Sequence, residues 1–168
     1  RLFDAASAIL GIRRVSTFEG EASCALEFAA EAYMRSSRFQ TEGFSYTQPL
    51  LGETESGFTL RTDLLIGWLA KQRLAGENTR KLAYAFHSVL AGMVCEGCKC
   101  ARRKTGLSSC ALSGGVFQNR LFTSLCAGHL HKAGFRVLLH SMVPPNDGGI
   151  SLGQAVAAMY QLNRKIKN

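Results

Sequence analysis

The chain has 168 residues, of which 46% are hydrophobic and 19% are charged, and its formal net charge at pH 7 is +8. This length is enough for one hydrophobic core, so residues 1–168 are expected to form a single globular lobe rather than a disordered segment. No uninterrupted apolar run approaches the roughly 20 residues that a membrane-spanning helix needs, and we expect no membrane partner.

The first two thirds of the sequence, residues 1–104, are predicted to be mainly helical. Apolar residues recur at helical spacing in residues 1–12, 19–35 and 62–74, and a further helix is predicted to begin at Asn78 or Thr79, which are good N-caps. The polar segment 36–58 contains glycine and Pro49 and is predicted to be a loop with one short strand at Phe44–Gln48.

The last third, residues 105–168, changes character. SSCALSGG (108–115) is typical of a strand and is followed by an amphipathic helix over 116–134. FRVLLHS (135–141) predicts a second strand, and a turn over 142–149 precedes a helix over 150–162. A strand, a crossover helix and a second strand form a right-handed parallel unit in nearly all cases, so the fold class is α/β with a small parallel sheet.

Two pairs of adjacent glycines follow the two predicted strands. Gly114 and Gly115 follow the first, and Gly148 and Gly149 follow the second. Loops at the carboxyl ends of parallel strands lie on one edge of the sheet, where open α/β sheets bind ligands. Glycine also lets backbone amides approach a ligand closely, so the pattern favours a phosphate site, with ordinary tight turns as the alternative.

Two polar residues near these loops are candidate ligand contacts. Asp147 could either cap the final helix or ligate a hard cation that balances a nearby phosphate. Asn119 is placed by the pattern in the first turn of the crossover helix, where its amide could contact a nucleotide or simply face solvent.

The cysteines and the basic clusters are less informative. The six cysteines mostly lie in apolar patterns, which favours reduced thiols in a cytoplasmic protein. The cysteine spacing in CEGCKC (95–100) resembles one half of a metal-binding knuckle, but the sequence has no second cysteine pair with matching spacing. We therefore expect this segment to be a helix that carries thiols. The basic runs 99–104 and 164–168 contain no interleaved aromatic residues, which argues against nucleic-acid stacking.

Three separated motifs carry a family resemblance. FEGEASCALEFAA (18–30), LSGGVFQNRL (112–121) and VPPNDGGISLGQA (143–155), together with YAFHSVLA (84–91), closely resemble the C-terminal domain of the HypF carbamoyltransferases of hydrogenase maturation. The resemblance covers nearly the whole chain. It implies a partial lobe of the actin-like ATPase (ribonuclease H-like) fold, which is shared with the tRNA threonylcarbamoyltransferases.

The resemblance also implies an activity. In that family, a neighbouring domain makes carbamoyl-adenylate from carbamoyl phosphate and ATP. The C-terminal domain passes the carbamoyl group to the C-terminal cysteine of the partner protein HypE during nickel–iron hydrogenase maturation. The chain begins without methionine and in an apparent mid-helix, so we expect a C-terminal fragment of the larger enzyme that is inactive alone.

The family's functional residues carry over onto specific positions. The resemblance makes Asp147 a ligand of a divalent metal ion. It makes the following residues nucleotide contacts: Glu19, Gly20, Glu27, Gly114, Gly115 and Asn119. Gly148 and Gly149 are added to this predicted set because their loop is expected at the same edge of the sheet.

One part of the family pattern is missing. The family completes its metal site with two histidines four apart on a helix, and no such pair occurs here. His129 and His131 are two apart, which on a helix turns them about 200° from each other. His87 and His140 are isolated and are interpreted as structural. The histidine ligands are therefore expected upstream of Arg1 in the larger enzyme.

Two alternatives remain at this point. A tRNA threonylcarbamoyltransferase-like enzyme would share the fold, and the net charge of +8 gives it weak support. A non-catalytic remnant could instead dock HypE or an acidic partner through Lys99–Lys104.

Overall fold

The computed structural model describes residues 1–36, 39, 45–54 and 57–166. These residues form a helix-rich α/β fold with six α-helices and two short strand pairs. The helices are α1 (Leu2–Ile9), α2 (Glu21–Met34), α3 (Thr62–Leu74), α4 (Thr79–Thr105), α5 (Arg120–Lys132) and α6 (Ile150–Ile166). The strands are β1 (Leu51–Thr54), β2 (Gly57–Leu60), β3 (Ser109–Leu112) and β4 (Arg136–Leu139).

The long helix α4 forms the centre of the lobe. Its start follows the predicted cap, because the side chain of Asn78 accepts hydrogen bonds from the amides of Arg80 and Lys81. Helices α2, α3 and α5 pack against it. Phe86, which is fully buried, meets the Phe3 ring edge-on at a centroid distance of 5.2 Å, and Phe3 also contacts Phe122 of α5. These aromatic contacts join α1, α4 and α5 into one core.

The hairpin formed by β1 and β2 corrects the loop predicted over 36–58. The two strands are antiparallel, with Leu51 opposite Leu60. Residues 45–48 of the strand predicted at Phe44–Gln48 form no strand, and Phe44 lies outside the described residues. Strands of four residues are too short to show a clear alternation of apolar and polar residues in the sequence. The position of β1 and β2 is set by their packing on α4. A Cβ at Gly97 of α4 would lie 3.0 Å from the Phe58 ring.

The predicted parallel unit is confirmed. Strands β3 and β4 pair in parallel from Ser109 opposite Arg136 to Leu112 opposite Leu139, and α5 forms the crossover. The helix predicted over 116–134 is shorter than expected at its start. Residues Gly115–Gln118 form a 3₁₀ turn, and the extended backbone of Asn119 separates this turn from α5.

The final helix α6 differs from the others in its surroundings. It follows a short 3₁₀ turn at Asp147–Gly149 and packs against that turn, and its described side chains from Ile150 to Asn163 are exposed. Among the described residues, no helix combines the length and apolar character needed to cross a membrane.

Candidate functional site

The two glycine loops meet at the carboxyl ends of β3 and β4. The Gly114 amide donates a 2.7 Å hydrogen bond to the Pro145 carbonyl oxygen, which links the loop after β3 directly to the loop after β4. Gly114 has a φ of 103°, a conformation that favours glycine. The expectation that both loops lie at one edge is therefore confirmed, but the Gly114 amide is used within the protein and is not a free donor for phosphate.

The 3₁₀ turn that follows Gly114 supplies donors at this edge. Within the part of the chain that the structure describes, the amides of Gly115 and Val116 make no hydrogen bond to the protein. Both residues are exposed. If a ligand is bound through this loop, Gly115 and Val116 are the amides that can reach it.

The loop over 144–149 is held in shape by Asn146. The side-chain oxygen of Asn146 accepts from the Gly148 amide at 3.1 Å, and its carbonyl accepts from the Gly149 amide at 3.0 Å. A Cβ on Gly149 would lie only 2.8 Å from the Pro144 carbonyl oxygen, so this position requires glycine. Gly148 is also tight, since its Cβ would lie 3.2 Å from the Asn146 side chain.

Asn146, and not Asp147, provides the side-chain cap of the 3₁₀ turn that leads into α6. The Asp147 carboxylate is exposed, and it forms no hydrogen bond or ion pair with another described residue. It is left available for a ligand or a cation.

A polar pair at the same edge was missed by sequence reasoning. The Nε2 atom of His140 lies 2.9 Å from the Oγ atom of Ser113, and both residues are exposed. Ser113 follows Leu112, the last residue of β3, and His140 follows Leu139, the last residue of β4. Leu112 and Leu139 are paired across the sheet. The strand register could have indicated the contact, because it places Ser113 and His140 side by side.

Asn119 caps α5 rather than lying in its first turn, which corrects the sequence-based placement. Its side-chain oxygen accepts from the Phe122 amide at 2.7 Å, and its Nδ2 atom lies 3.1 Å from Nε2 of His87. The amide side chain therefore has intramolecular partners at both ends. Its role as a nucleotide contact stays a prediction.

His87 is a fully buried histidine whose two ring nitrogens both have partners. Its Nδ1–H donates to the Ala83 carbonyl at 2.8 Å, which leaves Nε2 to accept from Asn119. Burial lowers the pKa of His87 to about 4, so the ring is neutral near pH 7. This geometry agrees with the structural interpretation made for His87.

The segment before and within α2 contributes Glu19, Gly20 and Glu27. Glu19 is exposed, and Gly20, with a φ of 84°, begins the helix. Glu27 is buried, and its Oε1 atom accepts from the Leu121 amide at 3.0 Å, so it lies beside the start of α5. The structure therefore brings Glu27 close to Asn119, while nothing places Glu19 there.

Glu21 is a buried carboxylate that sequence reasoning missed. It accepts from the Thr17 amide and pairs with Arg13, which fixes the loop before α2. The Thr17 amide bond is the main cause that lowers the pKa of Glu21. Its position inside FEGEASC, next to Gly20, is the only sequence signal for this role.

The chain matches a family model for "Carbamoyltransferase, Kae1-like Domain, second subdomain" over residues 1–154. The chain belongs to the HypF carbamoyltransferase family. It is 32% identical over 157 residues to the probable carbamoyltransferase HypF of Methanocaldococcus jannaschii. It is 36% identical over 159 residues to carbamoyltransferase HypF of Rhizobium leguminosarum bv. viciae. Each match covers 94% of the chain but 19% of the relative, so the chain spans about a fifth of these HypF proteins.

A solved HypF structure has the same fold. Full-length HypF in a phosphate- and nucleotide-bound form matches 96% of the chain and 20% of that protein, with a TM-score of 0.82 at 31% identity. A tRNA N6-adenosine threonylcarbamoyltransferase of Francisella philomiragia subsp. philomiragia is 29% identical over 101 residues, which is 60% of the chain. The HypF resemblance and the helix-rich α/β fold are thus confirmed.

The residues of this chain supply only part of the metal-ligand set that the resemblance to HypF implies. Asp147 is one exposed carboxylate oxygen donor of the kind that hard divalent cations prefer. Among the described residues, however, no group of three or more histidine, cysteine, aspartate or glutamate side chains is arranged to hold a metal ion. Metal binding at Asp147 therefore stays a prediction.

The cysteines of this HypF-family chain are free thiols, as expected. Cys98 in the CEGCKC segment lies on α4, and its sulfur is 3.5 Å from that of Cys110 on β3. Burial is the main cause that raises the pKa of Cys98 to about 12. This segment is a helix in which Cys95 is buried and Cys98 and Cys100 are half-buried, so the predicted helix is confirmed.

Proposed function

We propose that this chain is the nucleotide- and metal-contacting lobe of an ATP-dependent carbamoyltransferase. The enzyme transfers the carbamoyl group of carbamoyl-adenylate to the C-terminal cysteine of HypE during nickel–iron hydrogenase maturation. HypF family membership supports the reaction class. The single structural observation that supports the site is the Gly114–Pro145 hydrogen bond, because it brings both motif loops and Asp147 to one strand edge.

The proposed reaction is an acyl transfer. The acceptor sulfur attacks the carbamoyl carbon, the bond from that carbon to the adenylate oxygen breaks, AMP leaves and the thiol proton goes to solvent or a base. Negative charge then develops on the carbamoyl and phosphate oxygens. The amides of Gly115 and Val116, which have no hydrogen-bond partner among the described residues, are suited to stabilise it. Asp147 would hold a divalent cation, which supplies further charge stabilisation when bound.

The chain does not supply every part of this reaction. Carbamoyl phosphate and ATP would be used by other domains, and the acceptor thiol would belong to HypE. Because the described residues hold no complete metal-ligand set, the 168-residue chain is expected to be inactive alone.

The test is a carbamoylation assay with the full-length protein. Purified protein, ATP, carbamoyl phosphate and HypE are combined, and the C-terminal peptide of HypE is analysed by mass spectrometry. We expect a carbamoyl group on the terminal cysteine, and none on a HypE variant with serine at that position. An unmodified wild-type peptide, with carbamoyl-adenylate formed in the same reaction, would contradict the proposal.

A tRNA-modifying function is the second candidate. It is favoured by the match to the Francisella enzyme and by the net charge of +8. The HypF matches extend over 94% of the chain rather than 60%, which supports the first proposal. Adding unmodified tRNA to the assay discriminates the two, because only the second candidate predicts threonylcarbamoyl transfer to adenosine.

A further inference from the structure

We propose that Ser113 and His140 form a phosphate-recognition pair within this site. The proposal rests on the function proposed above and gives a ligand-binding role to two residues that are not among the nucleotide contacts carried over from the family; one of them, Ser113, lies in the LSGG segment. Their 2.9 Å contact lies directly beyond the paired strand ends Leu112 and Leu139. Ligands of open α/β sheets bind outside the carboxyl ends of the strands, which is where this pair lies.

The hydrogen-bond chemistry of the pair suits an acceptor ligand. If His140 Nε2 donates to Ser113 Oγ, the hydroxyl proton of Ser113 remains free to donate. If Ser113 donates to Nε2 instead, the proton of the neutral ring is on Nδ1, and that N–H remains free. In either arrangement, the pair keeps one donor for a ligand oxygen.

The neighbours of the pair point to phosphate as that ligand. Ser113 is followed directly by Gly114 and Gly115, and the Gly115 amide is without a partner among the described residues. The Gly114–Pro145 bond holds the 144–149 loop against the same edge. The side-chain donor of the Ser113–His140 pair and the Gly115 amide therefore lie at one edge of the strand pair, and these residues are exposed to solvent. A phosphate accepts hydrogen bonds only, which matches this set of donors.

The alternative is that the contact only holds the ends of β3 and β4 together. The two roles differ in what they do to ligands with and without phosphate. If the contact has only a structural role, its loss should weaken the binding of AMP and of adenosine equally, because the contact would shape the whole site. A phosphate-recognition pair would affect AMP alone.

The experiment uses calorimetric titration of the full-length protein with AMP and with adenosine. We expect Ser113→Ala and His140→Ala each to weaken AMP binding about tenfold, in the range for one hydrogen bond to a charged group, and to leave adenosine binding unchanged. Ser124→Ala and His131→Ala are matched controls, because both residues are exposed on α5 and lie outside the two glycine loops. They should leave both affinities unchanged.

The other outcomes separate this inference from the proposed function. Unchanged AMP binding in both variants, or equal losses for AMP and adenosine, overturns the phosphate role while the nucleotide site stands. A wild-type protein that binds neither ligand contradicts the nucleotide site itself and overturns the pair with it. That last result would favour the docking-remnant alternative.

Discussion

The amide of Gly114 and the carbonyl oxygen of Pro145 form a 2.7 Å hydrogen bond across 31 positions of sequence. This bond joins the LSGG and PPNDGG segments into one surface at the end of the parallel strand pair. It also removes the Gly114 amide from ligand binding. The donors and the carboxylate that remain available there are those of Gly115, Val116, Ser113, His140 and Asp147.

Gly149→Ala is expected to damage this surface. The added Cβ would meet the Pro144 carbonyl oxygen at 2.8 Å, so the backbone of the loop has to shift. We expect weaker AMP binding in the full-length protein and faster amide hydrogen exchange over residues 146–149. Gly153→Ala is the control, because its Cβ meets open space on α6 and alanine favours the helix by up to about 1 kcal/mol. Equal AMP affinities in the two variants would refute the steric argument.

Glu27 is expected to act mainly through the fold. Glu27→Ala removes the acceptor of the Leu121 amide and leaves a buried donor unsatisfied, which costs about 1–3 kcal/mol of unfolding free energy. Glu27→Gln keeps an oxygen acceptor and should cost less. Glu31→Ala is the control, because Glu31 forms only an exposed pair with Arg35 and should change stability by under about 0.5 kcal/mol. Urea unfolding measures all three, and a Glu27→Ala variant as stable as wild type would contradict this role.

His87 is expected to make stability pH-dependent. Its pKa is about 4 in the folded chain and near 6.5 when unfolded, so the unfolded state binds the proton first as pH falls. Above pH 6.5, the neutral ring makes its full contribution to the free energy of unfolding. Between pH 6.5 and about 4, this free energy falls by about 3 kcal/mol. Urea unfolding of the 168-residue chain, followed by fluorescence of Trp68, the only tryptophan in that sequence, measures it. His87→Gln should show a smaller loss over this range; an equal slope would contradict the assignment.

The cysteines should differ sharply in reactivity. Burial raises the pKa of Cys98 and of Cys126 to about 12, so little thiolate forms at neutral pH, whereas Cys24 is exposed. We expect iodoacetamide to modify Cys24 first, as read by peptide mass spectrometry. In guanidinium chloride the rates should become similar, which serves as the control. Equal rates for Cys24 and Cys126 in the folded protein would show that the thiols are not protected.

The sequence predicts those features that depend on local signals. The start of α4 follows from the Asn78 cap, and the parallel unit follows from the apolar runs on either side of α5. The adjacency of the glycine loops follows from the topology of that unit. These features need no knowledge of distant contacts, which is why pattern and topology rules reach them.

Features that depend on distant partners were not predictable from local patterns. The β1–β2 hairpin is placed by packing of Phe58 near Gly97 of α4. The break at Asn119 depends on Phe122 and on His87, which lies 32 positions away. The identity of the free amides depends on Pro145, because this residue takes the Gly114 donor. In each case, the deciding contact joins segments far apart in sequence.

The most direct test of the account is the rate of carbamoyl transfer to HypE by full-length protein carrying Asp147→Ala. The Asp147 carboxylate forms no hydrogen bond or ion pair among the described residues, so its loss should leave the fold intact while transfer falls by a factor of about 100 or more. Asp4→Ala is the matched control, because among the described residues the Asp4 carboxylate pairs only with the exposed Arg1. Transfer at the wild-type rate by a folded Asp147→Ala variant would contradict the central claim.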